Sequence, residues 1–446
     1  MGADIFGKLH EECGVFGIYM REEGADVLGI THHALYALQH RGQESCGIAV
    51  NDDGVITGHA DTGLVSEVFT EDVLCKLPQG RMAVAHCRYG TTGCQSRENA
   101  QPLVIRHIKG GMALAHNGNL TNAAELRESY ELDGAIFRTT SDSEVIAYAI
   151  TRERIGAGSI EEAVSRAMDS LKGAYSLAVM SPRKLIAVRD PIGFRPLCIG
   201  EIDGGWVVAS ESCALDAIGA KFLRDVEPGE IVTISDRGLE SDRSHCGKAT
   251  GECVFEFIYF ARPDSGLDAA LGYARQSGIP YGVGFVKSKY IGRTFIQPGQ
   301  TKRENAVRIK LNVIASTVRD KRVILVDDSI VRGTTIARIV ELLREAGARE
   351  VHVRLSAPPF LYPCYFGTDI DSSDYLIAHN HSLEEIREII GVDSLGYLNV
   401  DYLDKLADNS SIGFCKGCFT GQYPCEPPCR AQKSKFEQKI GRRERD

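Results

Sequence analysis

The chain has 446 residues, of which 43% are apolar and 25% charged, and its formal net charge is −9. This length exceeds one hydrophobic core, so two domains are expected. The acidic balance argues against a nucleic-acid or membrane-surface binder. The sequence contains no run of 18 apolar residues and no export signal, which predicts a cytoplasmic protein whose fourteen cysteines form no disulfides.

Cys13 follows a short leader, residues 1–12, and opens the run Cys-Gly-Val-Phe-Gly. If the leader is removed as a propeptide, Cys13 carries both a thiol and a free α-amino group. That amine has a pKa of about 7.7–8.0 and is suited to act as base for the thiol of the same residue. Cys13 is therefore predicted to be a catalytic nucleophile, and the alternative is a buried structural cysteine.

The first half of the chain is predicted to contain many short strands and a few helices, because short apolar runs alternate with turn residues. The predicted strands are Val15–Tyr19, Gly47–Asn51, Met82–His86, Met112–Ala115, Tyr175–Met180, Lys184–Val188 and Trp206–Ala209. The predicted helices are Ala34–Leu38, Ala123–Tyr130 and one that begins at a capping box formed by Ser141 and Glu144. This pattern indicates sheets with helices outside them.

Polar clusters lie at the ends of these elements, and each alone is better explained as a turn. Together with Cys13 they fit glutamine, which presents a carboxylate, an ammonium group and a carboxamide. Arg88 is predicted to bind the carboxylate and Asp142 the ammonium group. When Cys13 attacks the amide carbon, the Asn117 side chain and the Gly118 backbone N–H are predicted to stabilise the oxyanion.

Five motifs carry a family resemblance. They are Cys-Gly-Val-Phe-Gly, Leu-Gln-His-Arg-Gly-Gln, His-x-Arg-Tyr, Ala-His-Asn-Gly-Asn-Leu and Thr-Ser-Asp-Ser-Glu, in that order. They resemble an N-terminal-nucleophile (Ntn-hydrolase) glutamine amidotransferase domain, placed here at residues 13–245. The resemblance implies an αββα sandwich with two antiparallel sheets inside. Arg41, in the second motif, is a further positive group predicted to orient the glutamine pocket.

A second strong pattern lies at Val323–Val326, an apolar run typical of a buried parallel strand. A loop, a predicted helix at Ile336–Ala346 and a predicted strand at Glu350–Leu355 follow, which makes a βαβ unit. A helix N-terminus suits a phosphate, and paired carboxylates suit sugar hydroxyls and Mg²⁺. Together these groups describe phosphoribosyl pyrophosphate, although an ordinary strand–loop–helix is the alternative.

The loop resembles the signature of type I phosphoribosyltransferases. The residues assigned to phosphoribosyl pyrophosphate are Asp327, Asp328, Ser329, Arg332, Gly333, Thr334 and Thr335. Magnesium is assigned to Asp327 and Asp328 with Ser265. The resemblance places a phosphoribosyltransferase α/β domain at residues 250–446.

Over nearly its whole length the chain resembles the amidophosphoribosyltransferases. The resemblance implies that ammonia from glutamine passes to phosphoribosyl pyrophosphate and gives 5-phosphoribosylamine, the first committed intermediate of purine synthesis. It also implies a homo-oligomer, dimer or tetramer, with purine nucleotides as feedback inhibitors. A basic stretch that includes Lys287 and Arg293 resembles the family's flap over the pyrophosphate, although a solvated charged face is the alternative.

The Bacillus-type branch of this family, which has a leader before the catalytic cysteine, implies a [4Fe–4S] cluster. The ligands so implied are Cys253, Cys364, Cys415 and Cys418. Cys425 and Cys429 are further candidates. Structural zinc is the alternative for a tetrahedral thiolate site.

The chain departs from the family at Pro263–Ser265, its one Pro-Asp-Ser segment where the resemblance implies two. The helix and buried strand between the two copies, a few dozen residues, are expected to be absent. We predict a helix at Ala269–Gln276. A strand predicted at Val254–Phe260 either supplies a replacement, through Phe255–Phe260, or leaves the sheet one strand short.

Three rival functions follow from these patterns. The departure motivates a glutaminase whose second domain binds a ligand without transferring. A non-catalytic nucleotide sensor is disfavoured because it needs no nucleophile at Cys13. An amidotransferase acting on a sugar phosphate is disfavoured by the run Val326–Ser329.

Overall fold

The computed structural model describes residues 13–89, 96–248, 251–260, 265–287, 311–368, 370, 372–406 and 412–428. Residues 14–242 form two stacked antiparallel sheets. The first contains β1 (Gly14–Met20), β2 (Ser45–Asp52), β3 (Val55–Thr62), β4 (Met82–Arg88), β9 (Cys198–Ile202), β10 (Gly205–Ala209) and β11 (Lys221–Asp225). The second contains β5 (Leu103–His107), β6 (Gly110–Leu120), β7 (Gly173–Met180), β8 (Leu185–Arg189), β12 (Ile231–Ser235) and β13 (Gly238–Asp242).

The strand orders are β11-β9-β10-β1-β4-β2-β3 and β13-β12-β8-β7-β6-β5. Helices cover both outer faces: α1 (Val27–Leu38), α2 (Val65–Val68), α3 (Glu71–Leu74), α4 (Ala123–Leu132), α5 (Asp142–Gly156), α6 (Ile160–Met168) and α7 (Ser212–Ala217), with a short 3₁₀ turn at Arg97–Asn99. The inner faces pack on each other through side chains such as Val84, Ala178 and Val208. The predicted αββα sandwich is confirmed.

The central strands are rich in apolar residues because each has a sheet on one side and helices on the other. The strands β1, β4 and β7 are buried at every position. All the predicted strands of this half are present, and the predicted helix at Ala34–Leu38 is the second half of α1. Ser141 caps α5 as predicted, but Glu144 turns back to the N–H groups of Arg138 and Thr139 instead of completing a capping box.

The second half is built around a parallel three-stranded sheet of β17 (Arg322–Asp327), β18 (Glu350–Leu355) and β19 (Ser394–Gly396). One face packs on α10 (Thr334–Glu345) and α12 (Leu383–Ile390). The other elements are β14 (Glu252–Cys253), β15 (Phe285–Lys287), β16 (Leu311–Val313), β20 (Phe414–Cys415), α8 (Ser265–Ser277), α9 (Ala315–Val318), α11 (Ile377–Asn380), α13 (Gly417–Thr420), a π-helix at Glu256–Phe260 and 3₁₀ turns at Ser373–Tyr375 and Val400–Lys405. The predicted βαβ unit is confirmed.

The predicted strand at Val254–Phe260 is wrong. Only Glu252–Cys253 is a strand, and Glu256–Phe260 forms the π-helix. Helical winding buries Val254, Phe255, Ile258 and Phe260 in one apolar cluster while Phe257 stays 43% exposed. An extended strand cannot place consecutive apolar residues on one side. Phe255–Phe260 therefore does not replace the absent strand.

The strand β17 is the edge of its sheet within the described ranges. It pairs with β18 alone, and its other edge faces a groove of about 300 Å³ lined by α8 and residues 279–285. Its apolar residues, including Ile324 and Leu325, are half-buried. The helix predicted at Ala269–Gln276 is confirmed, as part of α8. None of the helices in the described part of the chain has the length and apolarity needed to cross a membrane.

Candidate active sites

Cys13 lies directly before β1 and is buried, with 8% of its surface exposed. Its Sγ lies 3.4 Å from the carbonyl oxygen of Tyr89, the residue after β4. The N–H of Val15 donates to Ser210 Oγ at 2.9 Å, which fixes the start of β1. The nucleophile predicted from the sequence therefore sits where β1 begins and β4 ends.

Arg41 contacts the main chain of Cys13. Its Nε donates to the Cys13 carbonyl oxygen at 3.0 Å, and its two terminal nitrogens donate to Glu211 and Glu256. Burial alone would lower the pKa of Arg41, but these two carboxylates outweigh it and raise that pKa above its ordinary value. Because all three nitrogens of the guanidinium already donate to these groups, the geometry indicates that Arg41 holds Cys13 in place and does not contact glutamine. The predicted role of Arg41 in orienting the glutamine pocket stays a prediction.

Glu211 was missed by the sequence reasoning. Burial would raise the pKa of Glu211, but hydrogen bonds and charge from His40 and Arg41 outweigh burial and lower it to about 2. The ligand atoms of His40, Glu211 and Cys213 lie within 4.8 Å of one another, a spacing that suits a metal ion. Since Arg41 already supplies a positive charge to Glu211, we assign no metal to this cluster.

Arg88, the predicted carboxylate ligand, is the last residue of β4 and is buried. Its Nη1 donates to Glu44 Oε1 at 2.7 Å. Glu44 directly follows the motif that contains Arg41, but nothing in the sequence there indicates that it pairs with Arg88. The carboxylate of Glu44 fixes the direction of the guanidinium, and Arg88 as the glutamine anchor stays a prediction.

Asp142 is the first residue of α5. Its Oδ2 accepts from the Leu120 N–H at 2.9 Å, and its Oδ1 lies 3.7 Å from His116 Nδ1. The helix N-terminus stabilises a carboxylate at this position. The group predicted to bind the ammonium of glutamine is thus buried and held in place.

The polar atoms of the Asn117 side chain, Oδ1 and Nδ2, are both buried without a hydrogen-bond partner. Unpaired buried amide atoms are rare because they are energetically unfavourable, so they point to a ligand. The next residue, Gly118, has φ of +137°, and a Cβ there would lie 2.2 Å from the Ala174 oxygen. Both predicted oxyanion donors lie inside β6, which runs to Leu120 instead of ending before them.

The strand β6 is tied to β4 beside these residues. His86 Nε2 contacts the His116 carbonyl oxygen at 2.9 Å. Burial outweighs the hydrogen bond to the His116 carbonyl and, together with the charge of Arg88, lowers the pKa of His86 to about 3, so His86 is neutral at physiological pH. This contact brings the strand end that carries Arg88 close to the residue that precedes Asn117.

The phosphoribosyl pyrophosphate residues lie where β17 ends. The Asp327 carboxylate accepts from the Asp328 N–H at 3.0 Å, and Ser329 Oγ donates to Asp328 at 2.6 Å. Ser356, after the neighbouring β18, donates its N–H to the Asp327 carbonyl oxygen at 3.0 Å. Ligands of open α/β sheets bind at this carboxyl edge.

The helix α10 begins at Thr334, next to this loop. Gly333 has φ of +81°, a region that favours glycine, and Thr334 Oγ1 is buried without a hydrogen-bond partner. Thr335 follows in the first turn. The Arg332 guanidinium lies over the Tyr375 ring, 5.0 Å from its centre. An unpaired hydroxyl at the start of a twelve-residue helix suits a phosphate.

Three predicted ligands lack a described side chain. Arg293 lies outside the described residues. Lys287 ends β15, where its backbone pairs with Leu311, and Ser265 begins α8. Their assignments to pyrophosphate and Mg²⁺ stay predictions.

The four cysteines implied by the family line one small cavity, together with aromatic side chains such as Phe194 and Tyr423. Cys253 and Cys415 are paired across β14 and β20, and two N–H groups, of Leu361 and Tyr362, donate to the Cys418 carbonyl oxygen. The third segment supplies Cys364. Cysteines from three distant segments thus meet in one place.

Cys425 packs in the neighbouring apolar cluster and is not among the residues that line the cavity, whereas Cys429 lies outside the described residues. The cavity measures about 10 Å³. Among the described residues no three of these thiols lie within 4.8 Å of one another, so their spacing as it stands is wider than that of the ligands of a single ion. The donor set suits either group.

Comparisons with known proteins agree with this arrangement. A family model described as a glutamine amidotransferase domain matches residues 86–217, and one described as a phosphoribosyl transferase domain matches residues 264–357. The fold and the two sites define a glutamine amidotransferase joined to a phosphoribosyltransferase.

The chain is 45% identical to the amidophosphoribosyltransferase of Bacillus subtilis, over 96% of both proteins, and 43% identical to that of Archaeoglobus fulgidus, over 93% of this chain and 98% of the relative. The solved structure of the B. subtilis glutamine phosphoribosylpyrophosphate amidotransferase, complexed with ADP and GMP, superimposes with a TM-score of 0.85 at 44% identity, covering 93% of this chain and 98% of the other. The chain belongs to the amidophosphoribosyltransferase family.

The alignment with the B. subtilis protein covers 466 positions, whereas the whole chain has 446 residues. At least 20 positions of that relative (466 against 446) therefore have no counterpart here. The alignments with the Synechocystis and Methanocaldococcus jannaschii relatives are longer still, 468 and 480 positions. This deficit agrees with the stretch expected to be absent next to residue 265.

Proposed function

We propose that this chain hydrolyses glutamine at Cys13 and transfers the ammonia to phosphoribosyl pyrophosphate, giving 5-phosphoribosylamine for purine synthesis. Residues 1–12 are a propeptide, residues 13–245 the glutaminase domain and residues 250–446 the transferase domain. The observation that carries the first half of this proposal is the buried Asn117 carboxamide without a partner. The unpaired Thr334 hydroxyl beside two aspartates supports the second half.

The glutaminase step uses the free α-amine of Cys13 as base. The amine takes the thiol proton, and the thiolate attacks the amide carbon of glutamine. Asn117 and the Gly118 N–H stabilise the oxyanion, while Arg88 and Asp142 hold the substrate carboxylate and ammonium. The ammonium of Cys13 returns its proton to the leaving nitrogen, and water then hydrolyses the thioester to glutamate.

The transfer step takes place at the loop after β17. Asp327 and Asp328 hold the ribose hydroxyls and Mg²⁺, and the residues from Ser329 to Thr335 hold the 5-phosphate. Ammonia attacks C1 of the ribose, and the bond from C1 to pyrophosphate breaks with its electron pair on the leaving oxygen. Direct passage keeps ammonia from protonating in water, where it would lose its nucleophilic lone pair.

The four-cysteine cavity supports a metal site held by Cys253, Cys364, Cys415 and Cys418, and we propose a [4Fe–4S] cluster. Such a group ties three segments together and supplies folding energy. Purine nucleotides are proposed feedback inhibitors, in line with the ADP and GMP of the B. subtilis structure. A dimer or tetramer is proposed from the family.

A second candidate function is favoured by the open edge of β17. A glutaminase with an inactive transferase domain would arise if the absent stretch leaves the pyrophosphate loop unsupported. The half-buried apolar residues of β17 and the adjoining groove of about 300 Å³ motivate this alternative.

The deciding experiment follows glutamate and phosphoribosylamine in parallel, on anaerobically purified protein with and without phosphoribosyl pyrophosphate and Mg²⁺. We expect both products from the intact chain. Cys13→Ala should lower glutamine-dependent synthesis more than about a thousandfold while synthesis from added ammonia persists. Asp328→Asn should lower synthesis from both nitrogen sources. Glutamate without phosphoribosylamine would instead establish the glutaminase alternative.

A further inference from the structure

The carboxylate of Glu256 joins the two halves of the molecule beside the nucleophile. Its Oε2 accepts from Arg41 Nη1 at 2.9 Å and its Oε1 from Arg41 Nη2 at 3.0 Å. Oε1 also accepts from Arg195 Nη1 at 3.1 Å. Glu256 belongs to the π-helix that opens the second half, whereas Arg41 and Arg195 belong to the first. All three side chains are buried.

We propose that Glu256 is a positioning residue for Cys13, which it holds through Arg41; this rests on the proposed role of Cys13 as the nucleophile. A guanidinium is planar, so two fixed terminal nitrogens also fix the direction of its Nε–H. In Arg41 that N–H points at the carbonyl oxygen of Cys13, 3.0 Å away. The bidentate ion pair between Glu256 and Arg41 thereby fixes the position of the main chain of Cys13.

The charges around Arg41 explain why the position of Arg41 depends on Glu256. Two buried arginines, Arg41 and Arg195, face two carboxylates, Glu211 and Glu256. Removing the charge of Glu256 leaves Glu211 as the carboxylate paired with Arg41 and removes the carboxylate that accepts from Arg195 Nη1. Breaking a buried pair in this way is strongly destabilising, so Arg41 is expected to shift toward Glu211 and away from Cys13.

Arg195, which Glu256 holds, and the nearby Asn119 also contact the segment that carries Cys364. Arg195 Nη2 donates to the Phe366 carbonyl oxygen at 2.9 Å, and Asn119 Nδ2 donates to the Tyr365 carbonyl oxygen at 2.8 Å. The glutaminase half therefore contacts the second half at three points near its own site. Of these, the contact through Glu256 is the one that leads directly to the nucleophile.

The chain offers a matched control for a purely structural role. Glu252, four residues upstream, accepts from Arg189 Nη2 at 2.9 Å across the same junction. Arg189 also donates to the backbone carbonyls of Gly193, Arg195 and Val226. Glu252→Gln removes a carboxylate partner from one buried arginine and Glu256→Gln removes one from two, but only the second change affects the contact to Cys13.

The test measures steady-state glutaminase kinetics and the thermal unfolding midpoint of the full chain, purified anaerobically. We expect Glu256→Gln to lower kcat about ten- to a hundredfold, because small displacements of a nucleophile have effects of this size. The KM for glutamine should change less than about threefold, since Glu256 does not contact the substrate. Glu256→Asp, which keeps the charge, should recover part of kcat. Glu252→Gln should lower the midpoint but keep kcat.

An unchanged kcat in Glu256→Gln, or an equal loss in Glu252→Gln, would overturn the proposal. If Glu256→Gln does not fold, Arg41→Lys provides the second test, because one ammonium group cannot hold Cys13 and both carboxylates together. An unchanged kcat in Arg41→Lys would also overturn it. Failure of the intact chain to hydrolyse glutamine would instead disprove the proposed function itself.

Discussion

The two halves of the molecule differ in how their sheets are closed. In the glutaminase half each sheet is covered on both faces, and strands such as β1 and β7 are buried throughout. In the transferase half β17 carries an equally apolar run, yet that run is half-buried and one strand edge faces a groove. A sequence pattern suited to a fully covered strand can thus occur in a strand that, within the described part of the chain, has a neighbour on one edge only.

The largest effect should come from the four-cysteine site, which we expect to compensate for the open sheet. Cys418→Ser should abolish visible absorption and bound iron, and should lower the unfolding midpoint of the transferase half by more than about 10 °C, because a lost metal site removes several kcal/mol. Metal analysis and calorimetry check both results. Exposed Cys75 provides the control Cys75→Ser, which should change neither. Zinc with no iron in the intact protein would contradict the cluster.

Two matched substitutions of isoleucine by alanine test the difference in burial between the strands of the two halves. Ile186, on β8, is fully buried, whereas Ile324, on β17, is half-buried. Ile186→Ala should lower the opening free energy of its half by about 2–5 kcal/mol and Ile324→Ala by about 1 kcal/mol, since the half-buried side chain loses less contact. Hydrogen exchange measures the two halves separately. Equal losses would mean that β17 is as well covered as β8.

The smallest expected effect is a pH dependence of the unfolding free energy of the glutaminase half. The folded pKa of Glu211 is about 2, below its ordinary 4.5, so its ionised form contributes stability above pH 4.5 that is lost as pH falls toward 2. The difference in unfolding free energy between the protein and Glu211→Gln should shrink by about 1 kcal/mol between pH 7 and pH 3.5. Trp206, the chain's single tryptophan, reports this half by fluorescence in urea. A difference in unfolding free energy that does not change with pH would contradict the lowered pKa of Glu211.

The sequence predicted the architecture well where a pattern is local. Short apolar runs located the strands of the first half, and the loop before Gly333 located the βαβ unit. The prediction failed at Glu256–Phe260, because an aromatic run with a single carboxylate does not show which partners it will meet. The π-helix there buries Glu256 against Arg195 and Arg41, which are 61 and 215 positions away in the chain.

The candidate sites show the same difference between local patterns, which the sequence reveals, and contacts between distant segments, which it does not. Motif residues such as Cys13, Asn117 and Asp142 were identifiable because their chemistry fits one substrate. The carboxylates that hold the arginines were not, since Glu44 acquires its role only when it meets Arg88 of β4, and Glu211 only when it meets Arg41. The cysteine ligands were inferred by resemblance, and their meeting in one cavity depends on contacts between distant segments.

The pairing of β14 with β20 has a consequence for biosynthesis. The four cysteines span residues 253 to 418, so the last of them leaves the ribosome about 165 positions after the first. At about 5–20 residues per second this delay is on the order of ten seconds. The glutaminase half has all its strands by then and is free to fold, whereas the proposed metal site is not complete until nearly the whole chain has been made. Metal binding at these four cysteines would therefore be a late step that shorter, incomplete chains do not reach.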